Sequence, residues 1–197
     1  MAINFKEPYI QTLDISLERL PIQSIDILRL DEIHPVVSGN KWYKLKGHIN
    51  HILTHQLEGF VTFGGAFSNH LSAAAYAAKA YGLKAHAIVR GQELEHKRSP
   101  TLNTCLDLGM TLEFVDRTTY KTKAELGYLA NLQQRFPNFL IVPEGGNSPL
   151  GLEGFQELIP VVTNKYSHII VSVGSGTTIA ALANNADKNQ KILGFVP

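Results

Sequence analysis

Two stretches of this chain carry residues that could perform covalent and anion chemistry together. Ser38-Gly39-Asn40-Lys41 places a lysine directly after a glycine-bearing turn and at the start of an amphipathic segment, where its amine can be held and aimed. A lysine amine becomes a nucleophile only on losing its proton, which partial burial and a cationic neighbour such as Lys44 both promote. Gly174-Ser175-Gly176-Thr177-Thr178 offers what a phosphate needs: glycines for a tight turn, convergent amides, a helix N-terminus and three hydroxyls. The same residues also make an ordinary capped turn after a strand, and the loop alone does not separate the two. A Walker loop is disfavoured because no lysine follows Gly176. The dinucleotide fingerprint fails as well, since Ile179 occupies the place of its third small residue. A smaller phosphorylated cofactor ranks above both nucleotides.

A further glycine loop, Gly64-Gly65-Ala66-Phe67-Ser68-Asn69-His70, opens a helix with Ser68 as a natural N-cap. The amides and side chains of Asn69 and His70 are then left to address a carboxylate or a ring oxygen. For His70, capping or plain polar packing stands equal to ligand contact. His48, His51 and His55 share a helical face at metal-binding spacing, but the helical zinc pattern requires a glutamate where Ile52 stands, so a solvated polar face is expected.

These residues must be positioned by regular elements, and the hydrophobic pattern supplies them. Residues 25–30 alternate as a strand that ends before Pro35. From Lys41 to Gln56, Trp42, Leu45, Ile49, Ile52 and Leu53 mark the apolar face of a helix. Strands are expected at 59–63, 84–90, 111–115, 138–142, 168–173 and 191–196. Helices alternate with them from Ser68 to about Tyr81, from Ser99-Pro100 to Gly109, over 119–135, from Pro149 to about Val162, and over 177–184. Such alternation predicts an α/β fold with parallel sheets, whose glycine loops gather at the carboxyl ends of the strands.

The composition narrows the partners. With 197 residues, 44% hydrophobic, and a formal charge of +1, the chain has no electrostatic footprint for nucleic acid or a membrane surface. Cys105 is the single cysteine and lies in a helix interior, which predicts packing in a reducing compartment. No leader pattern and no membrane-length apolar run is visible, so a cytoplasmic, soluble protein with a small-molecule ligand is expected.

A lysine after a glycine turn, a small-residue loop opening a helix, and a downstream phosphate cradle match the needs of pyridoxal phosphate. Through Ser38-Gly39-Asn40-Lys41-Trp42-Tyr43-Lys44-Leu45, Gly64 to His70, Pro143-Glu144-Gly145-Gly146-Asn147 with Pro149-Leu150-Gly151, and Gly174 to Thr178, the chain resembles a known family. It is similar to the 1-aminocyclopropane-1-carboxylate deaminase and D-cysteine desulfhydrase group of the tryptophan-synthase-β-like, type II pyridoxal-phosphate enzymes.

The resemblance implies that Lys41 forms the Schiff base and, once released, moves protons, whereas Lys44 fills a second basic position. It implies that Asn69 meets the cofactor ring hydroxyl, that Ser68, Asn69 and His70 receive the substrate carboxylate, and that Gly174, Ser175, Gly176, Thr177 and Thr178 hold the phosphate. The loop from Glu144 to Asn147 would line the same crevice without an assigned role. The implied architecture is a larger domain of residues 1–45 plus 143–197 and a smaller inserted domain of residues 46–142, in a homodimer. A small amino acid would leave as a keto acid and ammonia, with sulfide from a β-thiol. Family members continue well past Pro197, so open sheet edges and exposed apolar surface are expected near the last strand. The second reading is a remnant that keeps the fold, and cofactor binding, without turnover.

Overall fold

A computed structural model describes residues 3–15, 24–162 and 165–196. Its centre is a parallel four-stranded sheet in the order β5-β4-β3-β6, formed by β3 (Gly59–Gly64), β4 (Lys84–Arg90), β5 (Thr111–Val115) and β6 (Phe139–Ile141). Gly59 pairs with Lys84 on one side and Phe139 on the other, and His86 pairs with Thr111. Every residue of β3 is buried, as expected of a central parallel strand covered on both faces. Burial of Phe60 and Phe63 contributes about 1.5–3 kcal/mol each.

Helix α2 (Asn69–Tyr81) covers one face of this sheet with Ala73, Ala74, Ala75, Ala77 and Ala78, all buried. Ser68 caps it by accepting from the Leu71 amide at 3.3 Å, and Gly82, at φ 67°, ends it in the left-handed region. Cys105 is fully buried in α3 (Pro100–Asp107), and burial pushes its thiol up to about 11, which fits packing.

Helix α1 (Lys41–Thr54) runs through the expected domain boundary at residues 45 and 46 without interruption. Its core face holds Trp42, Tyr43, Leu45, Ile49 and Ile52, whereas Leu53 is exposed, contrary to expectation. Leu53 directly follows Ile52, and one helical step carries it past the edge of the contact. His48 also departs from expectation. It is 1% exposed and not part of a solvated histidine face, because α6 (Pro149–Glu153) packs directly over it. Glycines set that approach. A Cβ at Gly47 would lie 2.0 Å from the Leu150 carbonyl oxygen, and one at Gly154 would lie 1.8 Å from that of Tyr43.

Two expected helices are broken. Residues 119–135 form α4 (Arg117–Lys121) and α5 (Leu126–Arg135), with Asp116 capping α4 by accepting from the Thr118 and Thr119 amides. The Thr122 hydroxyl then donates to the Thr119 carbonyl, a side-chain bond that competes with helix continuation. After Pro149 the chain forms α6 and then α7 (Ile159–Val162), interrupted where Gly154 lowers helix propensity.

Outside the central sheet, β7 (His168–Ser172) pairs in parallel with β8 (Lys191–Phe195), and α8 (Thr177–Asn184) connects them. Ile170 and Phe195 on this pair are exposed. An antiparallel pair, β1 (Ile10–Asp14) with β2 (Ser24–Leu28), adds a strand that the sequence did not signal and departs from an all-parallel arrangement. No helix among the described residues is long and apolar enough to cross a membrane.

Candidate active site

The loops after β3, β6 and β7 converge on one cavity of about 900 Å³. Its wall includes Lys41, Ser68, Asn69, His70, Gly174 and Ser175, so residues from three separate sequence motifs meet in one place. Gly176, Thr177 and Thr178 stand behind that wall. Gly176, at φ 80°, makes the left-handed turn into α8; Thr177 is fully buried with its hydroxyl 3.1 Å from that of Ser175.

Gly39, at φ 64°, turns the chain so that Lys41 becomes the first residue of α1. Asn40 occupies the N-cap position but makes no side-chain cap bond. Its carbonyl oxygen instead accepts from Lys41 Nζ at 2.6 Å, while its amide nitrogen donates to Thr178 Oγ1 at 2.9 Å. The amine is thereby tied to the start of α8. Burial lowers the Lys41 pKa, the direction a nucleophilic lysine requires.

Lys44 lies one turn further along α1 and donates from Nζ to Ser175 Oγ at 3.1 Å. Burial first, and the Lys41 charge second, bring it down to about 8. It is a partner of the glycine loop as well as a neighbour of Lys41. The turn Glu144–Gly146 packs between these groups: a Cβ on Gly145 would meet Ser175 Oγ at 2.8 Å, and one on Gly146 the Lys44 carbonyl oxygen at 2.9 Å. This spacing role was not legible in the sequence.

His70 is buried, with Nε2 2.9 Å from Thr62 Oγ1 and Nδ1 unpartnered. Burial, followed by the charges of His48, Lys44 and Lys41, pushes it down to about 3, so the imidazole is neutral. The α2 N-terminus, and not a histidine charge, supplies the positive potential here. His48 is likewise neutral, pushed down to about 4 chiefly by burial. Its Nδ1 donates to the Lys44 carbonyl at 2.8 Å, since a carbonyl only accepts, and its Nε2 at 2.7 Å therefore accepts from the Ser148 hydroxyl. Ser148 in turn caps α6.

At another part of the wall, Glu144 accepts from the Tyr120 hydroxyl at 2.9 Å and pairs with Lys123 at 3.3 Å. Sequence reasoning missed Tyr120 and Lys123, because nothing in the run Thr119 to Lys123 signals a partner on another loop.

These groups fit pyridoxal phosphate: a reachable amine with lowered pKa, a hydroxyl and amide loop with a lysine for the phosphate, and Asn69 exposed to the cavity for the ring. The family described as pyridoxal-phosphate dependent enzyme matches residues 17–194. The chain belongs to that family. The family's cofactor is pyridoxal 5'-phosphate.

Relatives of this pyridoxal-phosphate family member include a candidate 1-aminocyclopropane-1-carboxylate deaminase of Thermotoga maritima, 28% identical over 191 residues, covering 87% of this chain and 60% of that protein. The mitochondrial bifunctional D-cysteine desulfhydrase/1-aminocyclopropane-1-carboxylate deaminase of Arabidopsis thaliana is 26% identical over 164 residues, covering 75% of this chain and 41% of that protein. The crystal structure of an ACC deaminase homologue superposes with a TM-score of 0.73 at 26% identity, over 91% of this chain and 56% of the other. Threonine deaminase isoform 2 of Solanum lycopersicum, at 18% identity, shares the fold with a TM-score of 0.72 over 98% of this chain and 51% of the other. The chain thus spans between 41% and 60% of the two curated relatives named.

Proposed function

We propose that the chain forms the cofactor-binding part of a pyridoxal-phosphate-dependent deaminase or lyase acting on a small amino acid, with 1-aminocyclopropane-1-carboxylate and D-cysteine as the first substrates to test. The observation that carries this reading is the pair of lysines on one turn of α1. Lys41 is tied to Thr178 through Asn40, and Lys44 bonds Ser175, within one cavity that also receives the N-terminus of α2.

Each group has a task in that reading. Bound pyridoxal phosphate supplies an electron sink for negative charge developing on the substrate carbon. Lys41 Nζ holds the cofactor and, when free, holds or moves a proton; its lowered pKa lets the amine serve as a base. Lys44, Gly174 and Ser175 meet the phosphate from the cavity wall, and Gly176, Thr177 and Thr178 complete the loop behind them. The α2 N-terminus, with Ser68, Asn69 and His70, receives the substrate carboxylate. Because Ser68 Oγ accepts from the Leu71 amide, its own proton remains to donate into the cavity. Asn69 orients the ring. The reading extends to a cytoplasmic homodimer whose larger part is residues 1–45 with 143–197 and whose smaller part is residues 46–142.

Titration with pyridoxal phosphate tests it. A visible absorption band of lysine-bound cofactor is expected for the natural chain and absent for Lys41→Ala, with a keto acid and ammonia released from one of the two substrates. A natural chain without the band would overturn the reading. The second reading is cofactor binding without turnover. It predicts the band and no keto acid.

A further inference from the structure

We propose that Glu144 sets substrate selectivity by holding Lys123, so that the cavity rejects amino acids carrying a second carboxylate. The inference rests on the proposed function and deepens it by naming the class of side chain that is excluded.

Three lysines, Lys41, Lys44 and Lys123, line the cavity, and Glu144 is the only acid in its wall among the described residues. Lys41 is the reacting amine and Lys44 bonds Ser175, which leaves Lys123 as the cation that could greet an acidic side chain. That cation is already engaged. Lys123 Nζ lies 3.3 Å from Glu144 Oε2 and 4.6 Å from the centre of the Tyr120 ring. The other carboxylate oxygen, Oε1, accepts from the Tyr120 hydroxyl at 2.9 Å.

Tyr120 makes this arrangement firm. It is 3% exposed, and burial together with Glu144 raises its phenol pKa, so the hydroxyl remains a donor. The buried, neutral Tyr120 hydroxyl holds one oxygen of the half-exposed Glu144 side chain and leaves the other facing Lys123. A second carboxylate entering here would have to displace Glu144 from Lys123 and then face it as a like charge, a repulsive element that discriminates between ligands. A neutral side chain meets no such conflict.

Calorimetric titration with unreactive carboxylates separates this from other accounts. Propionate carries one carboxylate; succinate and glutarate carry a second at increasing reach. The protein is titrated with and without pyridoxal phosphate. For the natural chain, propionate is expected to bind at least as tightly as either diacid. Glu144→Gln frees Lys123 while keeping the shape and an acceptor for Tyr120, and should tighten one diacid about tenfold relative to propionate. Adding Lys123→Met to Glu144→Gln should abolish the gain, and Lys123→Met alone should produce none.

Equal response of propionate and both diacids to Glu144→Gln overturns the proposal, as does a gain that survives Lys123→Met or a failure of all three anions to bind. These binding readouts need no turnover. A diacid gain without the Lys41-dependent visible band would sink the cofactor reading alone, whereas the band without any diacid gain would sink the selectivity proposal alone.

Discussion

Asn40 Nδ2 donates to Thr178 Oγ1 at 2.9 Å, joining the residue before Lys41 to the first turn of α8, 138 positions downstream. Through this bond the start of the helix that carries the amine and the start of the helix after the Gly174 loop are fixed to each other. Thr178 therefore serves the lysine as well as the loop.

Thr178→Val removes that acceptor with little change of shape. It is expected to lower stability by about 0.5–1.5 kcal/mol and to weaken pyridoxal phosphate binding severalfold. Denaturant unfolding and titration of the visible band measure the two effects. The same substitution at Thr118, which is exposed on α4 and does not line the cavity, provides the comparison for a general loss of hydroxyl.

In the proposed site, Lys44 is expected to carry the pH dependence of phosphate binding. Its pKa falls from 10.5 to about 8, first through burial and second through Lys41. Below about pH 8 the ammonium is present to meet a phosphate; above it the charge is lost, so cofactor affinity should decline. Without ligand the sign for stability is opposite. Between about pH 8 and 10.5 the unfolded state binds more protons than the folded one, so the unliganded protein gains stability across that window as pH rises. Lys44→Met should flatten both trends, one measured by cofactor titration and the other by thermal unfolding.

The buried histidines predict an acid limb. His48 falls from 6.5 to about 4 and His70 from 6.5 to about 3, each chiefly through burial. Below pH 6.5 the unfolded state takes up protons that the folded state refuses, so stability should drop as pH is lowered towards 4. Chemical unfolding at successive pH values should show a shallower limb for His48→Asn than for the natural chain, at the cost of the bond to Ser148.

Gly154→Ala tests the contact between α1 and α6. Its Cβ would sit 1.8 Å from the Tyr43 carbonyl oxygen, a clash with backbone and not with a movable side chain. Destabilisation of about 1–3 kcal/mol is expected, together with weaker cofactor binding, because α1 also carries Lys41 and Lys44. Gly127→Ala, which meets nothing within 4 Å, should be close to neutral.

The features legible in the sequence are those encoded locally. Ser68 and Ser99-Pro100 announced their helices, the apolar run at Gly59 announced the central strand, and the glycine loops fell at strand ends where α/β sheets collect ligands. The site's second layer was not legible, because it is made by docking. His48 reads as one of three histidines on a polar face until α6 covers it, and Tyr120 reads as an ordinary helical residue until Glu144 arrives from the loop after β6. The breaks at Thr122 and Gly154 were missed for a different reason. The apolar pattern continues through both while the backbone follows side-chain bonding and glycine.

The glycine contact of α1 with α6 has a consequence for how the protein can change over generations. Where side chains separate two helices, rotamers yield and a lost methyl group is absorbed by its neighbours. Here main chain rests on main chain at Gly47 and Gly154, with nothing between to yield. The amine of Lys41 is thus insulated from drift in the surrounding core, which can exchange one aliphatic residue for another. The same rigidity makes any replacement of those two glycines costly.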